Sequence, residues 1–138
     1  MKLWFVVCLF CAAYMKVSAQ ISKDSLVVYD VDLYAQFEGG IPAWISFVQE
    51  HLDIQGIRNS IDSTAYVDYG LKQTALLEFT ICEDGEVCNV EVVNETEISP
   101  EFAEEALRVM GKSPKWRPAR KNGKPVRTRF KQSIVAVL

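Results

Sequence analysis

Residues 74–93 read TALLEFTICEDGEVCNVEVV, and this stretch decides the fold of the chain. In its first part, apolar side chains recur at every second position, which predicts a strand with one buried face. Asp84 and Gly85 form a turn signal, because glycine accepts the positive φ that such turns require. A return strand is predicted over residues 87–93, with a bulge near Asn89 where the alternation slips by one residue. The stretch is therefore predicted to be a β-hairpin.

Apolar residues recur at helical spacing on both sides of the hairpin. Upstream, a helix that ends near His51 is predicted after a glycine pair; downstream, Ser99 is the predicted N-cap and Gly111 the stop of a second helix. The apolar faces of the two helices are Ile41, Trp44, Ile45, Val48 and Leu52, and Phe102, Ala103, Ala106, Leu107 and Met110. Residues 53–70 show no sustained period and are predicted to be a long connection.

A last strand is predicted over residues 126–138, after a basic loop that contains proline. The order helix, strand, strand, helix, strand predicts an α+β two-layer domain, in which the hairpin and the C-terminal strand form a three-stranded antiparallel sheet packed against two helices. The 138 residues fit one such domain, and a composition of 49% hydrophobic and 24% charged residues is that of a globular protein. This composition argues against disordered and coiled-coil proteins. A polytopic membrane protein is excluded because the sequence has only one long apolar run, at its N-terminus.

Residues 1–20, MKLWFVVCLFCAAYMKVSAQ, have the composition of a secretory leader. A positive charge near the start precedes an apolar core at residues 3–15, and Val17 and Ala19 are the small residues of a cleavage site. A membrane-spanning helix needs about 20 apolar residues, which is more than this core supplies. A cleaved signal peptide over residues 1–19 is therefore favoured over an uncleaved inner-membrane anchor.

Two of the four cysteines remain after such a cleavage, and these two, Cys82 and Cys88, flank the predicted hairpin turn. Exported proteins lie in an oxidising compartment, where thiols this close together usually pair. A structural disulfide is therefore predicted, with two free surface thiols as the alternative. Redox catalysis is disfavoured, since the spacing is not Cys-x-x-Cys and no helix N-terminus is predicted there to activate a thiol.

The charges are segregated along the chain. All 18 acidic residues lie at or before Glu105, whereas most of the 15 basic residues lie between Arg108 and Lys131. The basic segment predicts a basic rim, which is either a solvated loop face or a surface that attracts an acidic partner. The members of this rim are Lys115, Arg117, Arg120, Lys121 and Lys124. Trp116 lies within the same loop and is interpreted as packing under it, with stacking on a ligand as the less favoured alternative. Nucleic acid is not an expected partner, because the formal net charge is only −3 and the chain is predicted to be exported.

No catalytic or cofactor site is predicted. His51 is the single histidine and lies at a helix end, where it interacts favourably with the helix dipole. One histidine with two paired cysteines does not make a zinc site, and no spacing of nucleophile, base and acid is recognisable. We therefore expect neither enzyme activity nor a small-molecule substrate, a metal or another cofactor.

Several motifs occur in the order found in one protein family. They are Phe37-Glu-Gly-Gly40, Gly70-Leu71, Glu83-Asp84-Gly85, Val90-Glu-Val-Val93, Glu105-Ala-Leu-Arg108 and the loop PKWRPARKNGKPV at residues 114–126. Together they resemble the C-terminal domain of TonB energy-transducing proteins, over about residues 34–138. Residues 20–33 are then a short lead-in to that domain. The resemblance implies a protein of the bacterial periplasm, in or beside TonB-dependent transport across the outer membrane.

The chain departs from the usual pattern of this family at several places. A short lead-in replaces the long Pro-rich spacer, and residues 53–69 replace the Tyr-Pro that often follows the first helix. Gln73 stands where the family often has Gly, and Ser133 where it often has Pro. An extended chain covers at most about 3.6 Å per residue, so a tether as short as this lead-in could not cross a periplasm.

The resemblance implies that the last strand receives a short extended segment of an outer-membrane receptor or another envelope protein. The residues implied to bind this partner are Val126, Arg127, Thr128, Arg129, Phe130, Lys131 and Gln132. Two alternatives remain: a core strand whose edge is covered, and a structural or regulatory module that forms a homodimer by pairing the same edges.

Overall fold

The computed structural model describes residues 26–138, and the predicted signal peptide lies outside the described residues. Within them the chain forms four helices and five strands, with a short 3-10 turn at Glu95–Glu97. The elements are α1 (Gly40–His51), α2 (Ile54–Ser60), α3 (Ser63–Tyr69), β1 (Lys72–Ile81), β2 (Val87–Val92), α4 (Pro100–Gly111), β3 (Ala119–Lys121), β4 (Lys124–Val126) and β5 (Thr128–Val137). No helix in this part of the chain is both long enough and apolar enough to cross a membrane.

The central sheet of the described residues has the strand order β2-β1-β5, and both of its pairings are antiparallel. β1 lies in the middle, where Leu77 is opposite Val92 of β2 and Gln132 of β5. The register of β1 and β2 shifts once, next to Asn89, whose φ of 50° is left-handed. The predicted hairpin and its bulge are confirmed.

One face of the sheet, the inner face, is buried under the helices and forms the core. Every second side chain of β1 points into it, and Leu77 and Phe79 are fully buried there. The face of α4 that packs towards β1 and β2 is also buried, through Phe102, Ala106, Val109 and Met110. The opposite, outer face of the sheet bears charged side chains such as Glu78 and Lys131. This alternation is what the sequence predicts for a two-layer α+β domain, which the structure confirms.

The prediction that residues 53–70 form a long connection is wrong, because they contain α2 and α3. Each helix is only two turns long, which is too short for an apolar period to emerge. Each begins instead at an aspartate: the Asp53 carboxylate accepts from the Gly56 N–H at 2.8 Å, and the Asp62 carboxylate accepts from the Thr64 N–H at 3.2 Å. The helical layer of the described residues therefore has four helices where two were predicted.

The prediction of one continuous last strand over residues 126–138 is also wrong. Asn122 and Gly123 both have positive φ and turn the chain back, so that β3 and β4 pair as a separate small hairpin. Val126 belongs to β4 and lies opposite Ala119, whereas β5 starts only at Thr128. The break between the two strands falls at residue 127.

The start of α4 is found where the sequence places it, but it is held by a different contact. Ser99 is the N-cap, yet its side chain makes no capping hydrogen bond. Its backbone N–H instead donates to Oε1 of the buried Gln73 at 2.8 Å, and the Gln73 amide donates to the Gly70 carbonyl at 3.2 Å. Gln73 thereby ties the beginning of β1 to the beginning of α4.

Candidate functional site

β5 is an edge strand of the central sheet, and one of its sides has no partner strand among residues 26–138. The Leu138 N–H donates to the Leu71 carbonyl at 2.8 Å, so the even-numbered residues of β5 direct their backbone groups towards β1. The odd-numbered residues direct theirs away from β1. The outward N–H groups of Arg129, Lys131 and Ser133 therefore form a row of donors along the open edge.

A groove runs beside this edge, between β5 and the exposed side of α1. Ile41 and Ile45 of α1 are 74% and 50% exposed, although both fit the apolar stripe that the sequence assigns to the buried face. Only Trp44 and Phe47 of α1 are buried. Sequence reasoning missed this surface; the available signal was an apolar stripe wider than one buried face needs. We call the space between α1 and β5 the edge groove.

The edge groove contains two adjoining pockets. The smaller, here the aromatic pocket, has a volume of about 90 Å³ and is lined by Ala35, Gln36, Phe37, Gly40, Ile41, Trp44, Trp116, Phe130 and Gln132. The larger, here the aliphatic pocket, has a volume of about 380 Å³ and is lined by Ile41, Trp44, Ile45, Val48, Gln49, Gln132, Ser133, Ile134 and Val135. Ile41, Trp44 and Gln132 line both, so the two pockets are neighbours along β5.

Aromatic rings form the floor of the groove. The centroid of the Trp116 ring lies 5.3 Å from the ring centroid of Phe37, 5.4 Å from that of Phe79 and 4.9 Å from that of Phe130. All three pairs are edge-to-face. Trp116 is only 4% exposed, and its indole N–H donates to the Ser113 hydroxyl at 3.0 Å. The interpretation that Trp116 packs under its loop is confirmed, and so little exposed surface leaves no ring face for stacking on a ligand.

The β1–β2 turn holds Trp116 in place. The Trp116 N–H donates to the Gly85 carbonyl at 2.8 Å, and Gly85 has a φ of 86°. A side chain at Gly85 would collide with the Trp116 carbonyl oxygen, so the close approach of the two segments requires glycine. Cys82 and Cys88 are joined by a disulfide across the same turn, with their Cα atoms 6.8 Å apart.

The segment before α1, residues 28–38, runs along the β3–β4 hairpin; we call it the strap. The Val28 N–H donates to the Arg127 carbonyl at 2.8 Å, and isolated bridges join Leu33 to Arg120 and Gln36 to Arg117. The strap also supplies Phe37 to the floor of the aromatic pocket. Part of the predicted lead-in is therefore packed on the domain.

The predicted basic rim lies largely against acidic side chains of the same chain. Lys121 is 2.7 Å from Asp30 and Arg117 is 2.6 Å from Glu38, both in the strap. Lys115 is 4.0 Å from Glu86 in the β1–β2 turn. The Arg120 guanidinium donates to the Gly123 carbonyl at 3.0 Å, and Lys124 makes no ion pair within residues 26–138. The charge segregation of the sequence thus brings opposite charges together in the fold.

These contacts change the titration of the strap. The hydrogen bond from Lys121 lowers the pKa of Asp30, and the hydrogen bond from Arg117 lowers the pKa of Glu38. Both carboxylates are exposed, so each pair contributes little to stability. The ion pairs fix where the strap lies more than they stabilise the domain.

The residues implied to bind a partner fall on different surfaces. Thr128, Phe130 and Gln132 lie on β5 and point to the inner face, towards α1 and the core. Arg129 and Lys131 point to the outer face, where the Arg129 guanidinium is 3.1 Å from Glu78 and 2.6 Å from Glu91. Lys131 is 3.8 Å from Glu78 and its side chain is 80% exposed.

Val126 and Arg127 lie before β5 and outside the open edge. Val126 pairs within the β3–β4 hairpin, and the Arg127 carbonyl is already bonded to the strap. The Arg127 side chain lies 3.1 Å from Glu83. The open edge therefore begins at Arg129, three residues later than the sequence implies, and continues beyond Gln132 to residue 135.

His51 has a local structural contact. Its Nδ1 lies 2.8 Å from the Phe47 carbonyl oxygen, and its ring packs on the ring of Phe47. In the part of the chain that the structure describes, no group of three or more His, Cys, Asp or Glu side chains could hold a metal ion. The chemistry of the site is that of backbone hydrogen bonding beside an apolar surface.

Comparison with known protein families gives one finding. Residues 68–135 match the family model described as Gram-negative bacterial TonB protein C-terminal. This match spans β1 to β5 and stops short of the last residues of β5. No curated protein matches the chain.

Proposed function

Since this chain belongs to the TonB C-terminal domain family through residues 68–135, we propose that it binds an extended segment of a protein partner along the open edge of β5. The partner would be a segment of an outer-membrane receptor or another envelope protein. Binding would add this segment to the sheet as a fourth strand. The observation that carries the proposal is the row of outward backbone groups at residues 129–135, which lies beside an apolar groove.

The edge offers both parts of such an interaction. Backbone N–H and C=O groups of the odd-numbered residues supply hydrogen bonds that do not depend on the partner's sequence. The exposed Ile41 and Ile45 offer apolar surface to the side chains that the added strand would point towards α1. Long exposed strand edges with apolar neighbours are otherwise a liability for aggregation, which natural proteins avoid.

The family is found in the Gram-negative cell envelope, and we place this protein in the periplasm. The predicted signal peptide and the disulfide between Cys82 and Cys88 support export to an oxidising compartment. In that compartment the domain would act in or beside TonB-dependent transport. Its function would be recognition of a protein rather than chemistry on a substrate.

A proline substitution on the edge tests the proposal. Lys131→Pro removes one outward N–H without removing a hydrogen bond to β1, so the fold should persist. The probe is the synthetic peptide acetyl-Thr-Val-Thr-Val-Thr-Val-Thr-amide, titrated into the full chain and followed by amide NMR. We expect shifts centred on residues 129–135, and an affinity at least about tenfold lower for Lys131→Pro.

The matched control is Lys131→Ala, which removes the same side chain but keeps the N–H; its affinity should fall less than about threefold. Unchanged spectra at millimolar peptide would contradict the proposal. Sedimentation on the same samples identifies the homodimer alternative, in which the edge shifts appear on raising the protein concentration without peptide.

A further inference from the structure

We propose, resting on strand addition at β5, that the edge groove selects its partner by side-chain size, through two unequal pockets. The aromatic pocket of about 90 Å³ would take one small apolar side chain, and the adjoining aliphatic pocket of about 380 Å³ one large apolar side chain. The occupant is thus an extended segment with a small and a large apolar residue two positions apart.

The spacing follows from strand geometry. Gln132 and Ile134 both point to the side of the sheet on which α1 lies. Residues of an added strand that lie beside them point to the same side, and are about 7 Å apart because a strand rises about 3.4 Å per residue. Gln132 borders both pockets and Ile134 borders only the aliphatic one. Successive inward side chains of one strand therefore meet the two pockets in turn.

The lining determines the polarity of these two side chains. Neither pocket is lined by a charged side chain; the polar residues that line them are Gln36, Gln49, Gln132 and Ser133. A charged residue placed there would lose hydration without gaining a partner. The rings of Phe37, Trp44 and Trp116, which are 4–7% exposed, line the smaller pocket, so it cannot enlarge without disturbing the core.

The residue between the two apolar positions would point to the outer face, beside Ser133 and diagonal to Lys131. Arg129 is already paired with Glu78 and Glu91, whereas Lys131 lies 3.8 Å from Glu78 and its side chain is 80% exposed. The long Lys131 side chain can reach this diagonal neighbour, so charge complementarity favours a carboxylate at the middle position. The complete pattern is one small apolar, one acidic and one large apolar residue, in the order set by the direction of the added strand.

Two peptides of identical composition test this pattern: acetyl-Ser-Thr-Phe-Glu-Val-Thr-Ser-amide and acetyl-Ser-Thr-Val-Glu-Phe-Thr-Ser-amide. Each strand direction places phenylalanine in the aliphatic pocket for one peptide and in the aromatic pocket for the other. Titrated into the full chain and followed by amide NMR, one peptide should bind at least about tenfold more tightly. A third peptide, with serine at both apolar positions, should bind more weakly than either.

A matched pair of variants connects this preference to the groove. Ile45 lines only the aliphatic pocket, and Ile45→Ala should reduce the preference between the two peptides at least about threefold. Val67 in α3 is an equally apolar and even more exposed residue that lines neither pocket. Val67→Ala should leave the affinities and the preference unchanged.

Each result separates this inference from the proposal on which it rests. Equal affinities for the two peptides, with shifts at residues 129–135, would overturn the size selection while strand addition stands. A preference that Ile45→Ala leaves intact would also overturn it. If neither peptide nor the alternating valine peptide shifts the edge residues, both proposals fall.

Discussion

The strap and the edge groove share one aromatic floor, and they are built in opposite ways. The carboxylates and backbone groups of the strap find partners elsewhere in the chain, as in the pairs Asp30–Lys121 and Glu38–Arg117. Along the edge groove, apolar side chains and a row of backbone groups face outwards. The segregated charge is the most conspicuous feature of the sequence, and in the fold it is largely used in ion pairs within the chain. The edge groove, which stays open, is recognisable in the sequence only by two isoleucines of α1, Ile41 and Ile45.

The two regions also differ in what they contribute energetically. Fully exposed ion pairs such as those of the strap contribute little to the free energy of folding, whereas burial of one large aromatic side chain contributes several kcal/mol. The ion pairs of the strap thus determine where residues 28–38 lie, and the shared aromatic floor supplies most of the stabilisation of both regions. Substitutions in the floor should have the largest effects and changes in the strap the smallest.

The largest effect is expected from Trp116→Ala, which removes the ring that contacts both Phe37 of the strap and Phe130 of β5. We expect a loss of about 3–5 kcal/mol in the free energy of unfolding, measured by urea denaturation of the full chain. Tyr34→Ala is the control, since this aromatic side chain is 82% exposed and should cost less than about 0.5 kcal/mol. Equal losses of unfolding free energy for Trp116→Ala and Tyr34→Ala would contradict the claim that Trp116 is the centre of a shared aromatic floor.

A smaller loss is expected from Gly85→Ala, which sharpens the connection between the turn and the floor. The new methyl group would collide with the Trp116 carbonyl and sit at a φ of +86°, so we expect a loss of at least about 2 kcal/mol. Gly123→Ala is the matched control: its φ is +74°, but no atom lies within 4 Å of the added Cβ. Its cost should stay near 1 kcal/mol by the same denaturation measurement. A Gly85→Ala protein as stable as the control would show that the turn does not hold Trp116.

Removal of the disulfide should cost about 2 kcal/mol, because Cys82 and Cys88 close a short loop. The double variant Cys82→Ser/Cys88→Ser, compared with the parent under non-reducing conditions, measures this loss. The intact mass of protein from its native envelope, with and without reductant, tests the bond itself. A gain of two hydrogens on reduction is expected; an unchanged mass would mean free thiols, and the same mass reports whether residues 1–19 were cleaved.

The smallest effect is expected in the strap on acidification. The pKa values of Asp30 and Glu38 are lowered by hydrogen bonds from Lys121 and Arg117, so the contribution of these pairs to stability is present at neutral pH and is lost as the pH falls through the lowered pKa values. As the pH is lowered, the amide chemical shifts of Leu33 should therefore move towards those of a strap detached from the domain, before the amide shifts of β1 change. Arg117→Gln should remove the part of this change due to Glu38. If the amide shifts of the strap and of β1 changed over the same pH range, the strap would not be detaching independently of the sheet, and the prediction would be contradicted.

The sequence predicts the parts of the fold whose signals are local. The hairpin follows from alternation around Asp84 and Gly85, and α4 follows from Ser99, Pro100 and an apolar stripe. Short helices could not be found this way, because α2 and α3 are specified by aspartate N-caps and by packing rather than by a period. The predicted last strand begins too early, because the turn at Asn122 places residues 124–126 in a separate hairpin.

The site depends on contacts that sequence spacing does not show. Arg117 and Glu38 are 79 residues apart, so the basic segment gave no indication that its partners lie in the same chain. Ile41 and Ile45 fit a helical stripe, and only the position of α1 relative to β5 leaves them exposed. Partner binding at residues 126–132 stays a prediction, and the open edge places its centre nearer Lys131 and Ser133.

Amide hydrogen exchange along β5 of the full chain tests the central claim most directly, with and without saturating acetyl-Thr-Val-Thr-Val-Thr-Val-Thr-amide. In the free protein, the outward amides of Arg129, Lys131 and Ser133 should exchange fast, while those of Phe130 and Gln132, bonded to β1, should be protected. The peptide should slow exchange of the three outward amides at least about tenfold and leave the other two unchanged. Outward amides that are already protected in the free protein, or that stay fast with peptide bound, would contradict an open edge completed by an added strand.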